Sequence, residues 1–158
     1  MLAERKLFRH ALYMKPLADN NRARFDYEIL ETMEAGIQLA GYEVKSVKAG
    51  RMGLNGSYAV MQAGELWLLN GQIPPYQANN APEDYKPTRS RRLLLHKSEL
   101  AKLQGLIKQK GTTLVPLETY LNHGLIKIKI GVCKSRKNHD KREYIKERDD
   151  RRQMRDRE

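Results

Sequence analysis

At 158 residues and 18.3 kDa the chain has the length of one domain, and its 40% apolar residues can fill one core, which excludes a wholly disordered protein. Thirty Lys+Arg against 19 Asp+Glu give a net charge of +11 and a pI near 9.8, and the excess is one-sided: residues 1–84 carry −1 and residues 85–158 carry +12. Such a field calls for a polyanionic partner, and since no run approaches the roughly 18 apolar residues of a membrane span, nucleic acid is expected rather than a membrane.

Residues 1–20 have no clean period and read as an N-terminal extension, with Phe8, Leu12 and Met14 sketching a short helix and Asp19-Asn20-Asn21 a turn or cap. They lack the apolar core of a signal peptide, so a cytoplasmic protein is expected. From Arg24 onward Phe25, Tyr27, Ile29 and Met33 alternate with polar residues, a strand in which Leu30 and Glu31 fall out of step. Ala35-Gly36 then permits a turn, with Ile37-Gln38-Leu39 as a second strand. Val44 and Val47, three apart between Gly41 and Gly50, predict a short amphipathic helix. Residues 57–62 and 65–69 flank Ala63-Gly64 and predict a hairpin. Residues 71–88 hold Pro74, Pro75, Pro82 and Pro87 and form a long loop.

Next comes the basic cluster Arg89, Arg91 and Arg92, leading into Leu93-Leu94-Leu95. A helix follows from Ser98, with Leu100, Leu103 and Ile107 on one face and Gly111 at its end. Strands at 113–121 and 125–132 are joined by Asn122-His123-Gly124. Beyond Cys133 the chain changes: residues 134–158 hold 11 basic and 7 acidic side chains and few sizeable apolar ones. This tail is expected to be disordered when free and to become helical on a binding surface, since its residues are good helix formers and Lys146 and Asp150 stand four apart.

The lone Cys133 allows no disulfide framework and reads as a small apolar filler. His10, His96, His123 and His139 are scattered, no two at metal-ligand spacing, and Gly50, Gly53 and Gly56 lack the context of a phosphate loop. No enzyme, cofactor or small-molecule substrate is therefore expected. Short strands, two helices and glycine-marked turns fit a mainly β fold, a small antiparallel OB-like barrel with flanking helices and a basic tail. Lys127 and Lys129 share the face opposite Ile126, Ile128 and Ile130, where they either track a phosphate backbone or form a solvated strand face. Three guanidiniums at Arg89, Arg91 and Arg92 suit bidentate phosphate contacts. Glu31 and Glu34 lie on a strand where a carboxylate can accept from a base edge or ribose hydroxyl.

Several strings carry more than composition does. Arg22-Ala23-Arg24-Phe25-Asp26-Tyr27, Glu34-Ala35-Gly36-Ile37, Gly41-Tyr42-Glu43-Val44-Lys45-Ser46, Ser57-Tyr58-Ala59, Arg92-Leu93-Leu94-Leu95-His96-Lys97 and His139-Asp140-Lys141-Arg142 stand in one order. In that order and spacing the chain resembles the small protein B family, the bacterial SsrA-binding proteins, from about Asn21 to Arg152. The resemblance implies an OB-like barrel over residues 21–133 that binds the tRNA-like domain of transfer-messenger RNA (tmRNA). It further implies a 134–158 tail that occupies the empty mRNA channel by the small-subunit decoding centre of stalled ribosomes.

Matched motif by motif, the family's RNA contacts fall on Glu34, Leu94 and Lys127. Its tail contacts fall on Lys134, Arg136, Lys137, His139, Asp140, Lys141 and Arg142, with Lys146 and Arg148 along ribosomal phosphates. Two departures are visible. Residues before Asn20 do not match the family's short basic N-terminus, so Met14 reads as a plausible start, and 155–158 lack the family's usual tail ending. A general single-stranded nucleic-acid binder and a structural ribosomal protein with a basic extension are the alternative readings.

Overall fold

A computed structural model describes residues 15–156. The sketched helix at Phe8–Met14 and the reading of Met14 as a start lie outside that range. The described chain runs β1 (Ala18–Asp19), α1 (Asn21–Asp26), β2 (Tyr27–Ile37), α2 (Gly41–Lys48), β3 (Tyr58–Gln62), β4 (Glu65–Leu69), β5 (Arg91–Leu94), α3 (Lys97–Ile107), β6 (Thr112–Asn122), β7 (Leu125–Ser135) and α4 (Asn138–Arg155), with a 3-10 turn at Ala78–Asn80. All strand pairs are antiparallel, in the order β1-β6-β3-β4-β5-β2-β7, and an additional β6–β7 pairing closes six of the seven strands into a ring.

Two hairpins follow from local sequence. Ala63 (φ 52°) with Gly64 (φ 76°), and His123 (φ 50°) with Gly124 (φ 76°), supply the successive left-handed residues that two-residue turns between twisted strands require. The phase slip at Leu30 and Glu31 is a β-bulge: β2 pairs Ile29 with Cys133 and Glu31 with Val132, leaving Leu30 unpaired and exposed. A second bulge in β6, between Pro116 and Glu118, accommodates a proline that cannot donate to a ladder.

The ring's interior is apolar. Ile128, Ile130 and Val132 of β7 pack with Leu66 and Leu68 of β4, Leu93 of β5 and Leu114 of β6, while Val47 of α2 and Leu103 of α3 join the same buried cluster. A smaller cluster holds Ala23, Val115, Leu117 and Cys133. Cys133 is therefore the apolar filler its position suggests, and burial pushes its thiol up to about 11. Alkylation at pH 8 should be negligible in the folded protein and rapid after denaturation; equal labelling of both states would place Cys133 outside the core.

Several expectations change. No turn occurs at Ala35-Gly36: β2 is one 11-residue strand, because it pairs with β7 along its length and with β5 at its end. The glycine instead permits close approach, since a Cβ there would stand 3.3 Å from the Cβ of Leu94. Residues 24–26, read as the start of a strand, belong to α1, which is capped by the buried Asn20: its side-chain oxygen accepts from the Ala23 amide at 3.1 Å. The helix after Ser98 ends at Ile107, four residues before Gly111, which adopts φ 82° in the following turn. The edges of the folded unit also lie outside 21–133, since the Leu17 amide donates to Thr119 at 2.7 Å and β7 reaches Ser135.

The tail is helical in the structure over Asn138–Arg155, the conformation its good helix formers were expected to take on a binding surface. Asp140 accepts from the Lys137 amide at 3.4 Å, closing the first turn of α4. The Arg136 guanidinium lies over the Tyr144 ring at 4.6 Å and donates to the Tyr27 carbonyl at 3.1 Å. Lys141 pairs with Asp26 at 3.2 Å. These contacts seed the helix against α1, and good helix formers carry it onward with no buried residue. No helix among the described residues is long and apolar enough to cross a membrane.

Candidate nucleic-acid interface

Glu34, Leu94 and Lys127 come from three strands and line one open cleft of about 640 Å³, together with Thr32, Met33, Gly36, Leu95, His96 and Glu99. The ladder explains the convergence. Gly36 of β2 faces Leu94 of β5 on one side and Lys127 of β7 on the other, and Glu34 lies two residues earlier on the same outward face. Leu94 keeps 48% of its surface exposed, an apolar side chain that the core does not claim. A smaller hollow of about 260 Å³ shares Gly36, Leu94 and Lys127 and continues past Ile126 to Leu125, which is 62% exposed. The whole is an open groove lined by the apolar Met33, Leu94 and Leu95 and by the charged Glu34, Glu99 and Lys127.

Several charged groups of this face have definite partners. The Tyr120 hydroxyl donates to Glu34 Oε2. Burial and this hydrogen bond push the phenol well above its ordinary range, so Tyr120 stays a proton donor. Lys129 pairs with Glu118 at 2.8 Å, and Arg24 stands 3.6 Å from the same carboxylate. Glu31 is taken by Lys102.

The arginine cluster does not act together. In β5, Arg91 and Leu93 point inward while Arg92 and Leu94 point outward. Arg91 is 0% exposed, which corrects its reading as a phosphate contact. Its Nε donates to the equally buried Glu43 at 2.7 Å, and its other nitrogens donate to the carbonyls of Gly71 (2.7 Å), Pro87 (2.9 Å) and Arg89 (3.1 Å) and to the Tyr85 hydroxyl (3.1 Å). Arg89 Nε donates to Glu43 at 3.2 Å, so it too is committed to this carboxylate, and its pKa is raised chiefly by that hydrogen bond. Burial drives the Glu43 carboxyl up, but hydrogen bonds from Arg89, the Ala40 amide and Arg91 outweigh it and hold the group below its usual range. The cluster therefore ties the proline-rich loop to α2. Arg92 alone remains outward, paired with Glu65 at 2.7 Å.

Glu43 was the residue that composition did not single out. Period two offers the missing signal: if Leu93 faces the core, so does Arg91, and a buried guanidinium demands a carboxylate.

In the tail, Arg136, Lys137, Asp140 and Lys141 hold the root of α4. Lys134 lies at the exposed end of β7, and His139, Arg142, Lys146 and Arg148 are on the exposed helix. His139 stands 3.6 Å from Glu143.

A closed antiparallel sheet carrying an outward groove of mixed charge and a basic C-terminal helix defines a small, mainly β protein. The description "SmpB protein" fits residues 17–158, beginning earlier and ending later than the motifs alone indicated. An SsrA-binding protein of Nostoc sp. (strain PCC 7120 / SAG 25.82 / UTEX 2576) is 51% identical over 140 residues, 89% of this chain and 90% of that protein. One from Chlorobaculum tepidum is 52% identical over 136 residues, 85% and 86% of the two chains. A solved chain described as "tmRNA-SmpB: a journey to the center of the bacterial ribosome" is 50% identical, with a TM-score of 0.63 over 76% of this chain and 84% of that one. The chain belongs to the SmpB family.

Proposed function

We propose that this protein is a non-catalytic, cytoplasmic RNA-binding adaptor that binds the tRNA-like domain of tmRNA and delivers it to stalled ribosomes for trans-translation. The observation that carries the reading is the convergence of Glu34, Leu94 and Lys127 on one groove, since these are the positions that match the family's RNA contacts. The six-strand ring then serves as the OB-like barrel. Lys127 meets a backbone phosphate, Leu94 packs on a base or sugar, and Glu34 accepts from a base edge or a ribose hydroxyl. Arg92 and Lys129 add positive field at the margin, whereas Arg89 and Arg91 serve the fold. The tail helix α4 enters the empty mRNA channel near the decoding centre, with His139 available to stack and Arg142, Lys146 and Arg148 along ribosomal phosphates.

Replacing Lys127 with alanine, or Glu34 with alanine, is expected to weaken tmRNA binding about tenfold or more in a salt-controlled titration. The Lys127 variant should also flatten the salt dependence by about one charge. Unchanged affinity in both variants would overturn the groove as the RNA site. A general single-stranded binder, the competing reading, would show no preference for tmRNA over bulk tRNA in the same titration.

A further inference from the structure

We infer that Glu118 and Tyr120 are positioning residues that keep Glu34 free of an ion pair and thereby set the selectivity of the groove; this rests on the proposed RNA site. On the outward face of the sheet two cross-strand rows lie side by side. One runs Glu34–Lys129–Glu118 across β2, β7 and β6, and the next runs Gly36–Lys127–Tyr120. Lys129 is in register with both carboxylates, and the ordinary outcome of opposite charges facing across a ladder is a pair. Here Lys129 turns to Glu118, at 2.8 Å. Arg24, 3.6 Å from Glu118 and also paired with Asp19, adds a second cation on the same far side.

Among the described residues Glu34 is left with a neutral partner. Tyr120 donates to Oε2 and so fixes the carboxylate without cancelling its charge. The second oxygen, Oε1, remains to accept from a ligand. A carboxylate accepts strongly from N–H and O–H groups and repels phosphate, so an uncompensated Glu34 beside Lys127 favours an RNA segment that offers a base-edge or ribose donor at that point and a phosphate next to it. Bulk RNA without that juxtaposition meets a repulsive group. Were Lys129 to swing to Glu34, the groove would become a neutral pair beside one lysine and would attract any phosphate backbone alike.

The experiment compares tmRNA with bulk tRNA at fixed salt for Glu118→Gln, Tyr120→Phe and the double variant Glu118→Gln with Lys129→Gln, with Glu34→Ala as reference. Glu118→Gln should lower the preference for tmRNA about tenfold while binding of bulk tRNA rises, and Tyr120→Phe should lower the preference by a smaller factor without that rise. Removing Lys129 as well should restore most of the preference, a rescue that damage to the fold would not produce. If Glu34→Ala loses tmRNA affinity but Glu118→Gln keeps full preference, or if the double variant is no better than the single one, the positioning role is wrong and the RNA site stands. If Glu34→Ala changes nothing, the site itself is wrong and the positioning role falls with it.

Discussion

Substituting Glu43 with glutamine is expected to lower unfolding stability by about 3–5 kcal/mol, because it leaves the Arg91 guanidinium buried without a counter-charge. In a chain of this length that loss corresponds to a melting temperature lower by roughly 10 °C. The effect is large because Glu43 and Arg91 are both 0% exposed and the arginine also gathers the carbonyls of Gly71, Pro87 and Arg89. The sign with pH follows from the depressed carboxyl. A group whose folded pKa lies below its unfolded one stabilises fully above the unfolded value, here 4.5, and that contribution is lost as pH falls through the folded value. The wild type and the glutamine variant should therefore differ most above pH 4.5 and converge in stronger acid. Thermal melts at a series of pH values measure this, and a constant gap down to full acid unfolding would show that the carboxylate charge is not what stabilises the pair.

Truncation after Lys137 is expected to leave tmRNA affinity nearly intact and to abolish peptide tagging on stalled ribosomes. The cut belongs after Lys137 rather than after Cys133 because β7 continues to Ser135, which pairs with Tyr27, and because Arg136 bonds the Tyr27 carbonyl at 3.1 Å. A cut at 133 would remove strand pairs and confuse loss of the tail with damage to the ring. Beyond Lys137 the helix gives the body the half-buried Lys141–Asp26 pair, Lys141 over the Phe25 ring at 5.7 Å and the Tyr144 ring beneath Arg136, contacts of about 1 kcal/mol or less each. Loss of tmRNA binding by this variant would show that the groove and the helix do not divide the work as proposed.

What could be read in advance divides along physical lines. Local rules were legible: the alternation of Ile126, Ile128 and Ile130 with Lys127 and Lys129, the hairpins at Ala63-Gly64 and His123-Gly124, and the phase slip at Leu30, which is a bulge. The turn assigned to Ala35-Gly36 failed because a glycine needed for close packing looks, in sequence, like one needed for a bend. The tail's helix formers were legible, and the contacts at its root were not. Composition measures what a segment can bury, whereas α4 is anchored by a few contacts at its root, among them Arg136 on Tyr144 and Lys141 with Asp26.

For the interface, period two puts Glu34, Leu94 and Lys127 on outward faces but says nothing of their meeting. Their selection came from ordered family motifs, and their meeting comes from pairings across the sheet. Arg91 shows the cost of counting charge without assigning faces. An arginine two residues from a core leucine in the same strand is an interior residue, and its partner lay 48 positions away.

The closed ring also governs when the groove comes into existence. The β2–β7 seam joins residues between 91 (Gly36 to Lys127) and 108 (Tyr27 to Ser135) positions apart, so its contacts are among the most distant in the chain and among the most expensive in loop entropy. Glu34 and Lys127 sit on opposite sides of that seam. A nascent chain that has not yet released β7 can form the β3–β4 hairpin but has no groove at all. The groove is therefore completed in one late step, when β7 joins β2.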